Sequence, residues 1–195
     1  MESQKAKYFM WGGINIDASK IDHSKKSGNK VLFVGRDFER KNGPLVIEAF
    51  KLARKSRPDL ELYIAGPKKK APMEDGIVFL GDVSSENLPD IFNICDVFCM
   101  PSKLEAYGLV FVEALSFGLP CIGKNAYEMP YFIENGKTGY LLESDSAETL
   151  SRLLIDAINN EEMKRNVVDR QEFYIKEYSW KTVCERIYNA IELTK

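Results

Sequence analysis

The stretch VLFVGRDFERKNGPLVIEAFKLARKSRPDLELYIAG, residues 31–66, carries a complete strand–helix–strand signature. Residues 31–34 (VLFV) form a short continuous apolar run stopped by Gly35, the pattern of a strand buried on both faces. Asn42-Gly43 offers a helix cap and Pro44 suits the first helical position. Val46, Ala49, Phe50 and Ala53 then recur at i, i+3, i+4 and i+7, one apolar helical face that ends by Pro58. Residues 60–65 (LELYIA) read as the next strand, stopped by Gly66-Pro67. Two buried strands joined by one amphipathic helix make a βαβ unit with a right-handed crossover.

The same alternation continues outward. Residues 77–80 (IVFL) predict a third strand closed by Gly81, residues 85–95 a helix, and residues 96–100 (DVFCM) a fourth strand ended by Pro101. A buried helix is expected over 109–117, between Gly108 and Gly118, followed by a fifth strand at 120–123 and a sixth at 140–142. Beyond that the chain reads as helical. Asp145 and Glu148 form a capping-box-like start for a helix with Leu150, Leu153, Leu154, Ala157 and Ile158 on one face. Residues 161–177 continue in helical style, and Ser179 caps a last helix carrying Val183, Ile187, Ala190 and Ile191. Residues 1–29, ending in the polar run 25–30, read as a linker segment, which leaves 30–195 as the domain. The expected fold class is α/β: a single Rossmann-like domain with a parallel sheet flanked by helices.

Composition removes several function classes. The 195 residues are 45% hydrophobic and 29% charged, enough to bury a core. Lys+Arg number 27 against 29 Asp+Glu, a net charge of -2, so no basic face for nucleic acid is expected. No apolar run approaches the roughly 20 residues of a membrane span, and no signal peptide is read, so a cytoplasmic protein is expected. The four cysteines, Cys95, Cys99, Cys121 and Cys184, lack paired spacing and read as reduced thiols. His23 is the sole histidine, which argues against a zinc site and against a Ser-His-Asp triad.

Other motifs fail on their spacing. Gly136-Lys137-Thr138 lacks the glycine a phosphate-cradling P-loop needs, since position 131 is Tyr131, and is read as a turn. No GxGxxG follows the first strand, so a dinucleotide cofactor is not expected. No Asp-x-Asp pair is present to hold a metal on a sugar diphosphate, so no metal is expected. Lys68-Lys69-Lys70 reads as a solvated loop, with contact to an acidic lipid surface as the alternative.

Residues 102–120, SKLEAYGLVFVEALSFGLP, carry the chemistry. Glu105 and Glu113 stand eight positions apart with Gly108-Leu109 between them at a helix start. Unpaired N–H groups and positive partial charge at such a start receive a phosphate, and glycine allows close approach. Glu113, one turn into an otherwise apolar helix, is costly there unless it faces a cleft, and a carboxylate suits a ribose diol. Open α/β sheets bind ligands beyond the carboxyl ends of their strands. By that rule Glu105, after the fourth strand, and Arg36 and Lys41, after the first, share one rim with hydroxyls and a diphosphate as their natural ligands.

Residues 105–120, from Glu105 through Tyr107, Gly108, Leu109 and Glu113 to Pro120, resemble the E-x7-E signature of the retaining glycosyltransferases of family 4, which have the GT-B fold. Gly35-Arg36 through Lys41 is similar to their G-R-x4-K segment, and Gly13 to Asp17 resembles their N-G-I-D stretch. The resemblance covers about residues 10–195 and is to the C-terminal, donor-binding half of such an enzyme. It implies that Arg36 and Lys41 hold the donor diphosphate beside Gly35, that the Gly108 and Leu109 amides assist with Tyr107 nearby, that Glu113 binds the ribose, and that Glu105 binds the transferred sugar. Glu105, Arg36 and Lys41 are the implied catalytic group.

The implied activity is transfer of a hexose-type sugar from a nucleotide diphosphate sugar to an acceptor with retention, in polysaccharide, lipopolysaccharide or glycolipid synthesis, without metal. The implied partners are the donor, a missing N-terminal acceptor-binding domain and a peripheral membrane surface, and the chain on its own is expected to be an inactive fragment or one subunit of a split enzyme. Two other classes stay open: a non-catalytic nucleotide-sugar-binding module, and a sugar-nucleotide epimerase on a similar fold. One segment departs from the pattern. Where relatives carry G-G-x-P-E, this chain reads Tyr127-Glu128-Met129-Pro130-Tyr131.

Overall fold

The computed structural model describes residues 12–14, 17–67 and 75–192. The Lys68-Lys69-Lys70 run and part of the 13–17 stretch lie outside the described residues. Six parallel strands form one sheet: β1 (Lys30–Val34), β2 (Glu61–Ala65), β3 (Ile77–Gly81), β4 (Val97–Cys99), β5 (Cys121–Lys124) and β6 (Gly139–Leu142). Their order is β3-β2-β1-β4-β5-β6. The central strand β1 buries Val31, Leu32 and Phe33 completely, as a strand covered by helices on both faces must.

Eight α-helices cover the sheet among the described residues: α1 (Gly43–Arg54), α2 (Leu88–Ile94), α3 (Leu109–Ser116), α4 (Met129–Phe132), α5 (Ala147–Asn159), α6 (Glu161–Asp169), α7 (Gln171–Glu177) and α8 (Trp180–Glu192). After β3 the chain returns past β1 to add β4, so the direction of strand addition reverses between β1 and β4. Right-handed crossovers then put α1 on one face and α3 on the other. The packing agrees: α1 lies against α5, and α3 lies against α6 and α7. Two neighbouring strands whose following helices leave in opposite directions open a crevice at their carboxyl ends, and that crevice holds the candidate site.

Several local expectations change. Asn42 enters α1 in a left-handed conformation, φ 62°, with no side-chain capping bond, while the Pro at the helix start is as expected. The helix expected from residue 85 begins at Leu88, because Asn87 and Leu88 donate into a turn on Ser84 and Pro89 then occupies the first helical turn. α5 is capped by Ser146, whose hydroxyl accepts from the Thr149 amide at 3.1 Å, and Asp145 pairs with Lys124 at 2.9 Å instead. Ser179 caps α8 as expected, accepting from Thr182 at 3.2 Å. Gly136-Lys137-Thr138 is a turn, with Thr138 fully buried and its hydroxyl accepting from the Glu134 amide. The short helix α4 had no periodicity to announce it.

The described part of the segment before residue 30 is bound to the domain. Ile14 donates to the Tyr178 carbonyl, Asn93 bonds both Asp22 and Lys20, and His23 meets Gln171 at 3.0 Å. All four cysteines are free, and Cys95, Cys99 and Cys121 are buried. Burial pushes the Cys95 thiol up to about 12 and raises the other two further from reactivity. No helix among the described residues is long and apolar enough to cross a membrane.

Candidate functional site

The crevice between β1 and β4 gathers residues from two loops. The loop after β1 carries Gly35, Arg36, Lys41 and Asn42; the loop after β4 carries Ser102, Glu105, Tyr107 and Gly108. At the centre the Lys41 ammonium is ion-paired with the Glu105 carboxylate, the side chains only 13% and 9% exposed. Ser102 lies 3.4 Å from the same carboxylate oxygen. Gly35 donates to the Ala65 carbonyl at 2.8 Å and packs against the Lys41 stem, where a Cβ would sit 2.9 Å from Cγ. A mostly buried carboxylate is tolerable here because its cation is in contact with it.

Gly108 is the N-cap of α3 with φ 83°. A Cβ there would meet Met129 Cε at 2.6 Å, which the flexible methionine can yield, and Glu105 Cγ at 3.3 Å; it is the left-handed backbone that disfavours a side chain. The helix that follows buries Phe111, Val112, Ala114, Leu115 and Ser116 and leaves Leu109, Val110 and Glu113 partly exposed. Leu109 and Glu113 are one turn apart on that open face. Glu105, of the Lys41–Glu105 pair, stands three residues before Gly108, so the pair and the first N–H groups of α3 belong to the same loop-to-helix junction. Chemically, a helix start of this kind can receive an anion, and a carboxylate beside it can accept from hydroxyl groups.

Arg36 stands apart from that centre. Its side chain is 75% exposed and its guanidinium bonds Asp82, just past β3, at 3.0 Å. Beside it a cavity of about 210 Å³ is lined by Val34, Gly35, Ala65, Gly66, Asp82 and Val83, all at strand carboxyl ends. Backbones come close there: a Cβ on Gly66 would lie 2.5 Å from the Gly35 carbonyl carbon. A larger cavity of about 570 Å³, lined by Arg54, Pro58 and Gly76, opens at the amino ends of β2 and β3. It is remote from the crevice and holds none of the residues just described.

Tyr107 packs inward. Its ring meets Phe132 edge to face at 5.5 Å and lies against Gly12, and burial raises its phenol above the ordinary value. Its described contacts are therefore with the core side and not with Lys41 or Glu105.

Four side chains at the site were not anticipated: Asp82, Ser102, Arg40 and Tyr127. Arg40 accepts from the Lys103 amide at 2.9 Å through its carbonyl and donates from Nη1 to the Leu104 carbonyl at 2.7 Å. Its backbone amide and then its Nε donate to Asp37, together holding that carboxyl below its usual range. Tyr127 donates to the Lys103 carbonyl at 2.9 Å. Asp82 was within reach of the rule that found Arg36, since it follows Gly81 at the same rim. Ser102 lies only three residues before Glu105; Arg40 reaches Leu104 across 64 positions, for which the chain carries no local signal.

Comparison with known proteins gives the family and the fold. Residues 15–172 match the family described as Glycosyl transferases group 1. The chain is 29% identical over 161 residues to the N-acetyl-alpha-D-glucosaminyl L-malate synthase of Bacillus anthracis, covering 77% of this chain and 42% of that protein. It is 25% identical over 193 residues to the phosphatidyl-myo-inositol mannosyltransferase of Mycobacterium leprae, covering 92% and 52%. The chain thus spans about half the length of the curated relatives it matches. Among solved structures, the pneumococcal O-GlcNAc transferase GtfA with UDP and GlcNAc superposes with a TM-score of 0.69 at 22% identity, over 91% of this chain and 37% of that one. HepE of Anabaena with UDP and glucose gives 0.73 at 18% identity, over 91% and 55%. These two likenesses show the fold, that of GT-B glycosyltransferases. With the family matched across most of its length, the chain belongs to the group 1 glycosyl transferases.

Proposed function

We propose that this chain is the donor-binding half of a retaining glycosyltransferase that moves a hexose-type sugar from a nucleotide diphosphate sugar to an acceptor in glycan or glycolipid synthesis. The observation that carries the reading is the Lys41–Glu105 pair across the β1/β4 crevice beside the start of α3. Cation and carboxylate side by side match the junction of a sugar diphosphate, where phosphate oxygens adjoin sugar hydroxyls. The donor phosphates lie over the Gly108-Leu109 amides, which are oriented before the ligand arrives. Lys41 turns part of its charge from Glu105 to a phosphate oxygen, and sugar hydroxyls replace that contact by donating to Glu105.

Arg36, at the outer edge, adds a second cation, and each charge-assisted contact contributes roughly 1.5–3 kcal/mol. Glu113 accepts from the ribose diol one turn below the phosphates. As the bond between the sugar's anomeric carbon and the diphosphate oxygen breaks, its electron pair leaves on the diphosphate. Lys41, Arg36 and the helix amides stabilise that charge, the contribution expected to dominate catalysis. This reading requires no metal, because the positive charge comes from the chain itself. The curated relatives of about twice this length support a second half that binds the acceptor; the chain alone is then expected to bind donor and to turn over little.

The test is a thermal-shift panel of UDP, GDP, ADP and their sugar derivatives against the native chain, Arg36→Ala and Glu113→Ala. One nucleotide that stabilises the native chain, and stabilises both variants less, supports the reading and names the donor class; at 100 times its Kd the stabilisation is about 2.7 kcal/mol. Stabilisation of all three proteins alike, or of none, overturns it.

A further inference from the structure

The segment that departs from the family pattern contains a strained residue. Tyr127 has φ 57°, and only one other non-glycine residue among those described, Asn42, has a positive φ. A bulky side chain rarely occupies that region, and such a residue persists where its surroundings over-determine it. Burial does not hold Tyr127, whose side chain is 47% exposed. What holds it is its hydroxyl, which donates to the Lys103 carbonyl at 2.9 Å across a separation of 24 residues.

Lys103 and Leu104 lead directly into Glu105. That short run is fastened on its other side by Arg40, which takes the Lys103 amide at 2.9 Å and gives a bond to the Leu104 carbonyl at 2.7 Å. Arg40 immediately precedes Lys41. The loop that presents Glu105 is thus strapped between the loop that presents Lys41 and the loop after β5. The backbone before Tyr127 is itself anchored, Asn125 donating to Leu142 at 2.9 Å and Ala126 to Lys124 at 2.8 Å. A glycine at position 127 would take the same φ without strain but would have no hydroxyl to send across.

We infer that Tyr127 is a positioning residue: its phenol fixes the loop that aims Glu105, and so sets how firmly the sugar end of the donor is held. This rests on the donor reading given above. It assigns to this chain a device that replaces the flexible glycine turn, with the left-handed tyrosine backbone as its cost. The Tyr127 bond reaches only the Lys103 backbone of the Glu105 loop, while Lys41 is held through the separate Arg40 bonds and its pair with Glu105.

The experiment compares Tyr127→Phe and Tyr127→Gly with the native chain by calorimetric titration of UDP, GDP and ADP, each paired with UDP-glucose, GDP-mannose or ADP-glucose. Removing one neutral hydrogen bond is expected to weaken the sugar nucleotide about three- to tenfold while the parent nucleoside diphosphate stays within about twofold. Without any ligand, amide exchange at Lys103, Leu104 and Glu105 is expected to accelerate in both variants. An unchanged ratio between sugar nucleotide and nucleoside diphosphate, an equal loss of both, or unaltered amide exchange overturns the assignment. A native chain that binds none of the nucleotides overturns the donor reading itself, and is seen before any variant is compared.

Discussion

The Lys41 ammonium and the Glu105 carboxylate are in direct contact although 64 residues separate them, and each is close to nine-tenths buried. Truncating one partner leaves the other charge in a poorly solvated site. Lys41→Met and Glu105→Leu are each expected to lose about 3–5 kcal/mol of stability in urea denaturation. The double variant is expected to recover most of that, because an apolar pair of similar volume strands no charge. Nucleotide-sugar binding should not recover. A double variant as unstable as the sum of the two singles would show that the pair acts through something other than mutual neutralisation.

Gly108 ties the pair to the helix. Gly108→Ala places a Cβ at φ 83° and within 2.6 Å of Met129 Cε. The backbone penalty is roughly 1–2 kcal/mol, and the Met129 side chain can move to relieve most of the contact. Relief by turning the N-cap also rotates the first amides of α3 away from the crevice. Thermal unfolding should show the destabilisation, and titration of the nucleoside diphosphate should show lost affinity. A variant that unfolds earlier but binds normally would separate α3 from the phosphate.

Much of this was legible in the sequence, for identifiable reasons. Residues 31–34 and 77–80 are unbroken apolar runs, residues 60–65 are apolar but for Glu61, each is closed by glycine, and each became a strand within a residue or so of its expected limits. Glu105, Lys41 and Gly108 were found because loops at strand carboxyl ends form one rim whatever the helices do. Their pairing was not legible, since contact across 64 positions is set by tertiary packing. Tyr107 sits between Glu105 and Gly108, and spacing gave no sign that its ring turns toward Phe132. Tyr127 was visible only as a departure. Its positive φ and its bond to Lys103 depend on a loop 24 residues away.

A pH dependence follows from Lys26, which lies outside the site. Its Nζ donates to the Cys95 carbonyl at 2.6 Å, and burial pulls its pKa from 10.5 to about 8. Between those values the unfolded chain holds the proton more often than the folded one. The contribution of Lys26 to stability therefore rises with pH across that window, by up to about 3 kcal/mol at about 1.36 kcal/mol per unit. The buried thiols act oppositely at the upper end: Cys95, raised to about 12, keeps its proton in the folded chain where the unfolded chain loses it. The measurement is thus the difference between native chain and Lys26→Met at each pH. That difference should move in favour of the native chain from pH 8 to 10, and a flat difference would refute the assignment.

Arg36 makes the sharpest separation between stability and binding. Its side chain is 75% exposed and its described ion pair, with Asp82, is more than a third exposed on both sides. Such pairs contribute little in water, so Arg36→Ala should change unfolding free energy by no more than about 0.5 kcal/mol. A diphosphate changes the balance, because the guanidinium then faces two negative groups whose solvent the crevice has partly removed. Loss of one charge-assisted contact predicts about a tenfold or greater fall in nucleoside diphosphate affinity. The fall should shrink as salt rises, since an exposed cation is screened over roughly 8 Å at physiological ionic strength. Asp82→Asn provides the counter-test: freeing Arg36 from its resting partner should leave affinity equal or improved. A matching loss in Asp82→Asn would mean that Arg36 works in its resting pose, bonded to Asp82, and that the carboxylate is part of the grip on the donor.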